Sequence, residues 1–184
     1  MTALATCATQ LPIPVIETER LILRGPAPQD FDAIESFLAD AERSQYIGGP
    51  VTDRDQVWRG FLSVIGHWMW RGYGMWTVAE KSSGATVGRV GIINHLQWDE
   101  PEIGWHVFDG FEGKGYAHEA ALAARQYAAD HFGLDAVISY IDPANTRSRA
   151  LAERMGARVE RERTEFYGTT VLVYRHPAVA KGGA

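Results

Sequence analysis

The feature that most constrains this chain is a glycine turn, Gly113-Lys114-Gly115-Tyr116-Ala117, that separates two different periodicities. Residues from Ile103 to Phe108 alternate like a β-strand, and an alanine-rich run from His118 onward repeats with helical spacing. Two glycines let the backbone approach a bulky ligand, and the start of the following helix presents free N–H groups and a positive dipole end. The sequence therefore predicts a strand, turn and helix that bind a phosphate group, with a plain turn as the alternative.

Known phosphate-binding designs differ in the residues they require. A P-loop is excluded because Gly115 follows Lys114 in place of Ser or Thr, and Phe108 occupies the position of its first glycine. A dinucleotide fingerprint lacks its third glycine, since His118 stands there, although Asp135 could imitate the ribose-binding acid. A nucleotide-dependent oxidoreductase is therefore kept as a third hypothesis.

A third design is carried by two separate motifs. Glu112 to Ala117 resembles the diphosphate loop of the GNAT N-acetyltransferases, which is Gln or Arg, two residues, Gly, one residue, then Gly or Ala. Glu112 departs from it by placing a carboxylate at the first position. Asn145 to Gly156 resembles the Asn-x-x-Ser-x-x-Leu-x-x-x-x-Gly segment of the RimJ/RimL-like branch of ribosomal-protein N-acetyltransferases. The resemblance extends over Glu17 to Pro177.

The resemblance implies the GNAT fold: a single mixed α/β (α+β) domain with a mostly antiparallel seven-strand sheet and about four flanking helices. In that fold the fourth and fifth strands splay apart and leave a cleft for pantetheine. The periodicity predicts strands at 20–24, 73–80, 86–96, 102–108, 136–141, 158–163 and 166–175, and helices at 28–40, 52–70, 116–132 and 145–155. We expect a flexible leader at 1–15, the domain at 16–177 and a flexible tail at 178–184.

Bulk properties limit the function classes. A length of 184 residues suits one domain with a substantial core, and a net charge of −5 argues against a nucleic-acid or anionic-membrane binder. The single Cys7 excludes an intramolecular disulfide, and no apolar stretch is long enough to span a membrane. We therefore expect a cytoplasmic protein without nucleic-acid or membrane partners. Homodimers are common, so a homodimer is an alternative to a monomer.

If the ligand is acetyl-CoA, the resemblance assigns the cofactor-binding residues. The main-chain amides that would hold its pyrophosphate, with the Lys114 ammonium nearby, are those of Gly113, Lys114, Gly115, Tyr116 and Ala117. The backbone of Trp105, His106 and Val107 would pair with pantetheine and supply an oxyanion donor. Asn145 would contact the pantetheine amide.

Amine acetylation needs a proton acceptor, because the attacking amine must be neutral. Glu102 is the candidate base, since it opens the strand that leads into the glycine turn and matches a position where many family members carry a glutamate. The alternative is that Asp99, Glu100 and Glu102 form a solvated strand edge. His106 is a second candidate base, with structural packing as its alternative.

The departing thiolate needs a hydrogen bond or a proton. Ser148 matches the motif serine that contacts the CoA sulfur in the RimL-like branch, and helix capping is the alternative for Asn145 and Ser148. Tyr140, Tyr167 and Tyr174 are further candidate acids.

The six histidines show no paired metal spacing, so we expect no metal. Four tryptophans could belong either to the core or to an acceptor pocket or dimer face, namely Trp58, Trp68, Trp70 and Trp98. The leading hypothesis is an acetyl-CoA-dependent N-acetyltransferase that transfers acetyl directly, in a ternary complex, to a primary amine of a protein N-terminus or small molecule. A non-catalytic acyl-CoA-binding module is the alternative.

Overall fold

The computed structural model describes residues 13–179. The strands in chain order are β1 Ile16–Glu17, β2 Leu21–Arg24, β3 Met75–Glu80, β4 Thr86–Ile93, β5 Glu102–Val107, β6 Ile138–Ile141, β7 Arg158–Phe166 and β8 Thr169–Arg175. The helices are α1 Phe31–Ala39, α2 Ala41–Ser44, α3 Arg54–Arg71, α4 Tyr116–Phe132 and α5 Thr146–Arg154, with a 3-10 turn at Pro28–Asp30 before α1. No helix among these residues has the length and apolar character needed to cross a membrane.

The strands form one open sheet in the order β1-β2-β3-β4-β5-β6-β8-β7. Every neighbouring pair is antiparallel except β5 and β6, which run parallel. The mixed, mostly antiparallel fold predicted from the sequence is thereby confirmed. The expected count of seven strands was wrong, because Ile16–Glu17, ahead of the predicted strand at 20–24, form a short additional strand, β1, that pairs with β2.

A fifth helix was also missing from the prediction. α2 is only four residues long, too short for an apolar period, and Asp40 caps it by accepting hydrogen bonds from the N–H groups of Glu42 and Arg43. Local signals placed α4 better, since Gly115 and Gly133 flank it with positive φ and its observed bounds equal the predicted ones. The last hairpin turns at Tyr167-Gly168, two residues beyond the predicted turn at Glu165.

Each face of the sheet carries a separate core. Against one face, α4 packs four small buried residues, which allow the helix to approach the sheet closely: Ala120, Ala121, Ala124 and Ala128. α5 lies beside α4, where Arg125 donates a 3.2 Å hydrogen bond to the carbonyl of Met155. α1 and α3 cover the opposite face through an aromatic and aliphatic cluster of Phe31, Ile34, Phe37, Val57, Phe61 and Phe108.

β5 and β6 separate immediately after they meet. Their backbone pairing is confined to Glu102 opposite Ile138, whereas β4 and β5 pair along the whole of β5. Beside that point Ser139 Oγ donates a 2.7 Å hydrogen bond to the carbonyl of Ile103 and lies 3.0 Å from His176 Nε2. A side chain thus takes the place of the next backbone bond, and the sheet opens into a gap beyond it.

Part of the predicted leader lies in the described residues. Ile13 packs against the α4 core, and the carbonyl of Pro14 accepts a 2.8 Å hydrogen bond from Trp76 Nε1. Residues 1–12 and 180–184 lie outside the described range, including Cys7 and most of the predicted leader and tail.

Candidate active site

A groove of about 860 Å³ begins at the gap between β5 and β6 and runs to the glycine turn. It is bordered by α2 and the residues after it, the end of β5, the turn with the start of α4, and the segment 144–154. The structure brings to this groove the candidate acid Ser148 and eight of the nine expected cofactor-binding residues: Trp105, His106, Val107, Gly113, Gly115, Tyr116, Ala117 and Asn145. Lys114 and Glu102 lie outside its lining.

The glycine turn is shaped by backbone conformation. Gly113 and Gly115 have φ of 75° and 81°, and Gly115 is the N-cap of α4. A Cβ at Gly113 would meet nothing within 4 Å, so the left-handed φ and not lack of space selects glycine there. The first N–H groups of α4 have no acceptor within their helix and lie at the groove. This end of the groove can bind an anion with main-chain amides.

Two cations flank the turn. Arg20 fixes it by donating 2.9 Å to the carbonyl of Lys114 and 2.7 Å to the Glu119 carboxylate on α4. The Lys114 ammonium lies 4.8 Å from the centre of the Phe111 ring. Arg20 therefore stabilises the conformation of the turn, and Lys114 adds positive charge at its edge.

Glu112, the departure from the family pattern, is ion-paired. Its Oε1 accepts a 3.0 Å hydrogen bond from Arg43 Nε on α2, and Arg43 also contacts Asp40 and Asp109. Arg43 and Glu112 both line the groove. A cation at this corner of the groove is therefore supplied by Arg43 of α2, 69 residues away in sequence from Glu112.

The edge of β5 presents backbone groups to the gap. The backbone N–H of Phe108 donates to the carbonyl of Val87 on β4. Because backbone N–H groups alternate in direction along a strand, the N–H of His106 points toward β4 as well. The N–H groups of Trp105 and Val107 therefore point the other way, into the gap. His106 contributes its ring to the groove instead, where it stacks on Phe37 with ring centres 5.1 Å apart.

Glu102 lies where the strands part. Its Oε2 accepts a 2.8 Å hydrogen bond from the backbone N–H of Tyr140 on β6, and burial raises the pKa of its carboxyl to about 8. Asp99 and Glu100 are different: they form ion pairs with arginines of β7 and β8, whereas no ion pair of Glu102 occurs among residues 13–179. Glu102 is thus separate from the charged edge formed by its neighbours.

The residue on the same face as Glu102 and next along β5 is a glycine. Gly104 pairs with Gly91 on β4, and a Cβ on Gly104 would sit 3.4 Å from Glu102 Oε1, so the carboxylate lies over this glycine. At Gly91 a Cβ would clash with the backbone that leads into β3, so that side is closed. Two pairs further, Arg89 lies opposite His106, with its guanidinium 3.2 Å from His106 Nδ1. Burial and the neighbouring Arg89 lower the pKa of His106 to about 3, so the ring is neutral and Nδ1 is an acceptor.

Asn145 caps α5, and both Asn145 and Ser148 line the groove. Asn145 Oδ1 caps α5 by accepting a 3.0 Å hydrogen bond from the N–H of Ser148, which leaves the Asn145 side-chain NH₂ free of that role. Ser148 Oγ accepts a 3.3 Å hydrogen bond from Trp105 Nε1. Since the indole can only donate, the hydroxyl hydrogen of Ser148 is not used in that bond.

The tyrosines expected as alternative acids are placed differently from one another. Tyr174 is fully buried and donates to Glu153, while Tyr167 is exposed at the hairpin. Tyr140 accepts 3.2 Å hydrogen bonds at its hydroxyl from the N–H of Asp99 and from Arg163, which leaves its own proton uncommitted. The backbone N–H of Tyr140 on β6 donates to the Glu102 carboxylate on β5, so Tyr140 lies at the gap and stays an acid candidate together with Ser148.

The tryptophans divide between core and surface. Trp68 is buried and donates to the carbonyl of Met75, whereas Trp58 and Trp70 are exposed on α3. Trp98 packs against the rings of Tyr140 and Phe166 beside the gap. Within the described range, no group of three or more His, Cys, Asp or Glu side chains is arranged to hold a metal.

Comparison with known proteins agrees with this geometry. The model of the acetyltransferase (GNAT) domain matches residues 20–158. The crystal structure of an acetyltransferase from Agrobacterium tumefaciens superposes with a TM-score of 0.80 at 36% identity, over 89% of this chain and 94% of that one.

Two further proteins show the range of similarity. The uncharacterized N-acetyltransferase YnaD of Bacillus subtilis is 26% identical over 148 residues, which cover 79% of this chain and 83% of that protein. The structure of RimL, a ribosomal alpha-N-protein acetyltransferase in complex with coenzyme A, has the same fold with a TM-score of 0.72, at 18% identity over 90% of this chain and 98% of that one.

Proposed function

This chain belongs to the acetyltransferase (GNAT) family and is an N-acetyltransferase, and from that premise we propose how its groove performs the transfer. Acetyl-CoA, the acetyl donor of the family, lies with its pyrophosphate on the amides of residues 113–117 and its thioester at the gap between β5 and β6. A primary amine enters beside Glu102 and attacks the thioester directly. The observation that carries this proposal is the single groove that joins the glycine turn to the unpaired edge of β5.

The donor is bound largely by main-chain groups. The amides of the turn and the start of α4 suit a diphosphate, because they combine free N–H donors with the positive end of the helix dipole. The Trp105 and Val107 edge of β5 is free to pair with pantetheine as an added strand would. Asn145 can donate its side-chain NH₂ to a pantetheine carbonyl while its Oδ1 caps α5.

In the transfer step the amine nitrogen bonds to the acetyl carbonyl carbon and the carbon–sulfur bond breaks. A backbone N–H of β5 in the gap stabilises the negative charge that develops on the carbonyl oxygen. Glu102, directly or through one water, accepts the proton that the amine loses. Its raised pKa, about 8, makes it a stronger base than an exposed carboxylate.

The leaving thiolate is stabilised from α5. The hydroxyl hydrogen of Ser148 is free because Trp105 Nε1 occupies one of its lone pairs, so Ser148 can donate to the sulfur. A thiol with a pKa of about 8.5 leaves moderately well, so this donation contributes modestly to the rate. The acceptor class proposed is a primary amine of a small molecule or of a protein N-terminus. The α-amine of a protein N-terminus loses its proton more readily than a lysine side chain.

The test follows both halves of the reaction. Calorimetry of the purified protein with CoA measures donor binding, and mass spectrometry with acetyl-CoA and a panel of amines measures acetylated product. We expect CoA binding together with acetylation of at least one amine class. Binding of CoA without release of free thiol in the presence of any amine would favour the non-catalytic acyl-CoA-binding alternative.

A further inference from the structure

Arg89 is a cation that the protein does not neutralise. Its guanidinium contacts His106 Nδ1 at 3.2 Å, and its Nε has no accessible surface and no hydrogen-bond partner among residues 13–179. No ion pair within this range includes Arg89. A partly buried positive charge without a carboxylate is unfavourable, so it points to a missing partner.

Arg24 provides the internal comparison. Arg24, Thr77, Arg89 and His106 form one row across β2, β3, β4 and β5, on the face covered by α1 and α3. Arg24 binds both oxygens of the buried Asp30, at 2.7 and 2.8 Å. The fold thus supplies a carboxylate for one arginine of this row and none for the other.

Asp30 cannot serve both arginines. Besides Arg24, its oxygens accept hydrogen bonds from the hydroxyl of Thr86 and from the N–H of Ala27. Together with the two bonds from Arg24, these make four hydrogen bonds, which occupy all of the acceptor sites of a carboxylate. Arg89, two strands away, therefore keeps a free guanidinium face.

The position of Arg89 relative to Glu102 is the decisive geometry. The Glu102 carboxylate lies over Gly104, and His106, which contacts Arg89, is two residues further along β5, about 7 Å away by the repeat of a strand. Gly104 has no side chain to separate the two. A proton acceptor and a guanidinium thus lie on the same face of the sheet, at a separation that a small bifunctional molecule can span.

We propose that Arg89 determines acceptor specificity by binding a carboxylate that the acceptor carries a few bonds from its reactive amine. The acceptor class is therefore amino-acid-like, with its amine at Glu102 and its carboxylate on the guanidinium. The planar fork of arginine matches a carboxylate with two parallel hydrogen bonds. His106 acts as a positioning residue, because its neutral Nδ1 accepts from the guanidinium and fixes its orientation. This inference rests on the proposed transfer beside Glu102.

The experiment compares matched acceptors that differ only in charge. Free α-, β- and γ-amino acids and their amides are acetylated by the wild type, Arg89→Met, Arg89→Lys and the control Arg158→Met. Arg158 is exposed on β7, and its replacement by Met removes the same charge on a different strand. We expect the wild type and Arg158→Met to favour at least one free acid over its amide by tenfold or more in kcat/KM.

The variants separate charge from shape. Arg89→Met should bring that ratio close to one, chiefly through a higher KM for the acid, and Arg89→Lys should retain part of it. The proposal is overturned if the wild type has equal kcat/KM for acids and amides. It is also overturned if Arg89→Met lowers kcat/KM for the acid and for its amide by the same factor. If circular dichroism shows that Arg89→Met does not fold, the proposal is decided by the acid-to-amide ratio of kcat/KM in the wild type and in Arg89→Lys.

Calorimetry with CoA distinguishes this inference from the proposed function. Wild-type protein that binds no CoA contradicts the donor site itself, and the Arg89 proposal falls with it. Protein that binds CoA and acetylates amines without preference for a carboxylate contradicts only the role of Arg89.

Discussion

The two ends of the groove are made from different parts of the polypeptide. The proposed phosphate end consists of main-chain amides held in a left-handed turn by Gly113 and Gly115. The proposed transfer end, at the gap between β5 and β6, depends in addition on side chains, chiefly Ser148 in the groove lining and Glu102 outside it. A site made of backbone should tolerate loss of side chains and fail when φ changes. A site made of side chains should respond in the opposite way.

The largest effect is expected at the transfer end. Glu102→Gln should lower kcat/KM at pH 7 about a hundredfold or more, within the usual contribution of a general base. The affinity for CoA should stay the same, because Glu102 lies outside the groove lining. Steady-state kinetics and calorimetry measure the two quantities. Glu100→Gln is the matched control, since Glu100 pairs with Arg175 and lies two residues away.

The pH profile sharpens the same prediction. Glu102 must be ionised to accept a proton, so wild-type kcat/KM should rise with pH and level off above its pKa of about 8. When kcat/KM is calculated on the neutral form of the acceptor amine, this inflection should disappear in Glu102→Gln. An inflection that persists in the variant on that basis would assign the proton acceptor to another group.

At the phosphate end, a change of φ should matter more than a change of charge. Gly115→Ala places a Cβ at φ 81°, which costs about 1–2 kcal/mol and should weaken CoA binding about tenfold if the turn relaxes. Lys114→Ala should weaken it by about threefold or less, as expected for an exposed charge. Calorimetry measures both affinities.

The control for backbone strain is Gly84→Ala. Gly84 has a φ of 72° in the turn between β3 and β4, away from the groove. This variant should lose thermal stability like Gly115→Ala but keep its CoA affinity. A larger loss in Lys114→Ala than in Gly115→Ala would show that the side chain, and not the backbone, binds the phosphates.

Ser148→Ala tests the contribution of the leaving-group donor. We expect kcat to fall about five- to tenfold, since a hydrogen bond to a charged group is worth about 1.5 kcal/mol or somewhat more and a thiolate leaves moderately well unaided. Asn145→Ala should instead lower the melting temperature, because it removes the cap of α5 at a cost of about 1 kcal/mol. An unchanged kcat in Ser148→Ala would direct attention to Tyr140.

The smallest effect concerns the Arg43–Glu112 pair. Arg43→Met leaves the Glu112 carboxylate unpaired beside the phosphates and should weaken CoA binding about threefold, as expected for a partly exposed charge. Glu112→Gln in the Arg43→Met background should restore most of that affinity. Salt titration of the three proteins checks the electrostatic origin, and additive losses in the double variant would contradict it.

Local signals in the sequence predicted the glycine turn and α4, whereas the opening between β5 and β6 depends on long-range pairing. The bounds of α4 followed from Gly115 and Gly133, which act within one turn of the chain. The separation of β5 from β6 came only from family resemblance, because it depends on which strands fail to pair. Arg43 was missed because its partner Glu112 is 69 residues away, and Arg89 because an arginine in a strand carries no sign of lacking a carboxylate.

The hydrogen bond from Ser139 Oγ to the carbonyl of Ile103 has a consequence for how quickly the enzyme can be loaded. Because a hydroxyl ends the pairing of β5 with β6 at that point, no ladder has to be broken when the donor enters. The opening already exists in the resting protein, so its formation belongs to folding and not to each turnover. Association with the donor should accordingly be a one-step process, limited by encounter and desolvation and free of a slow rearrangement of the sheet.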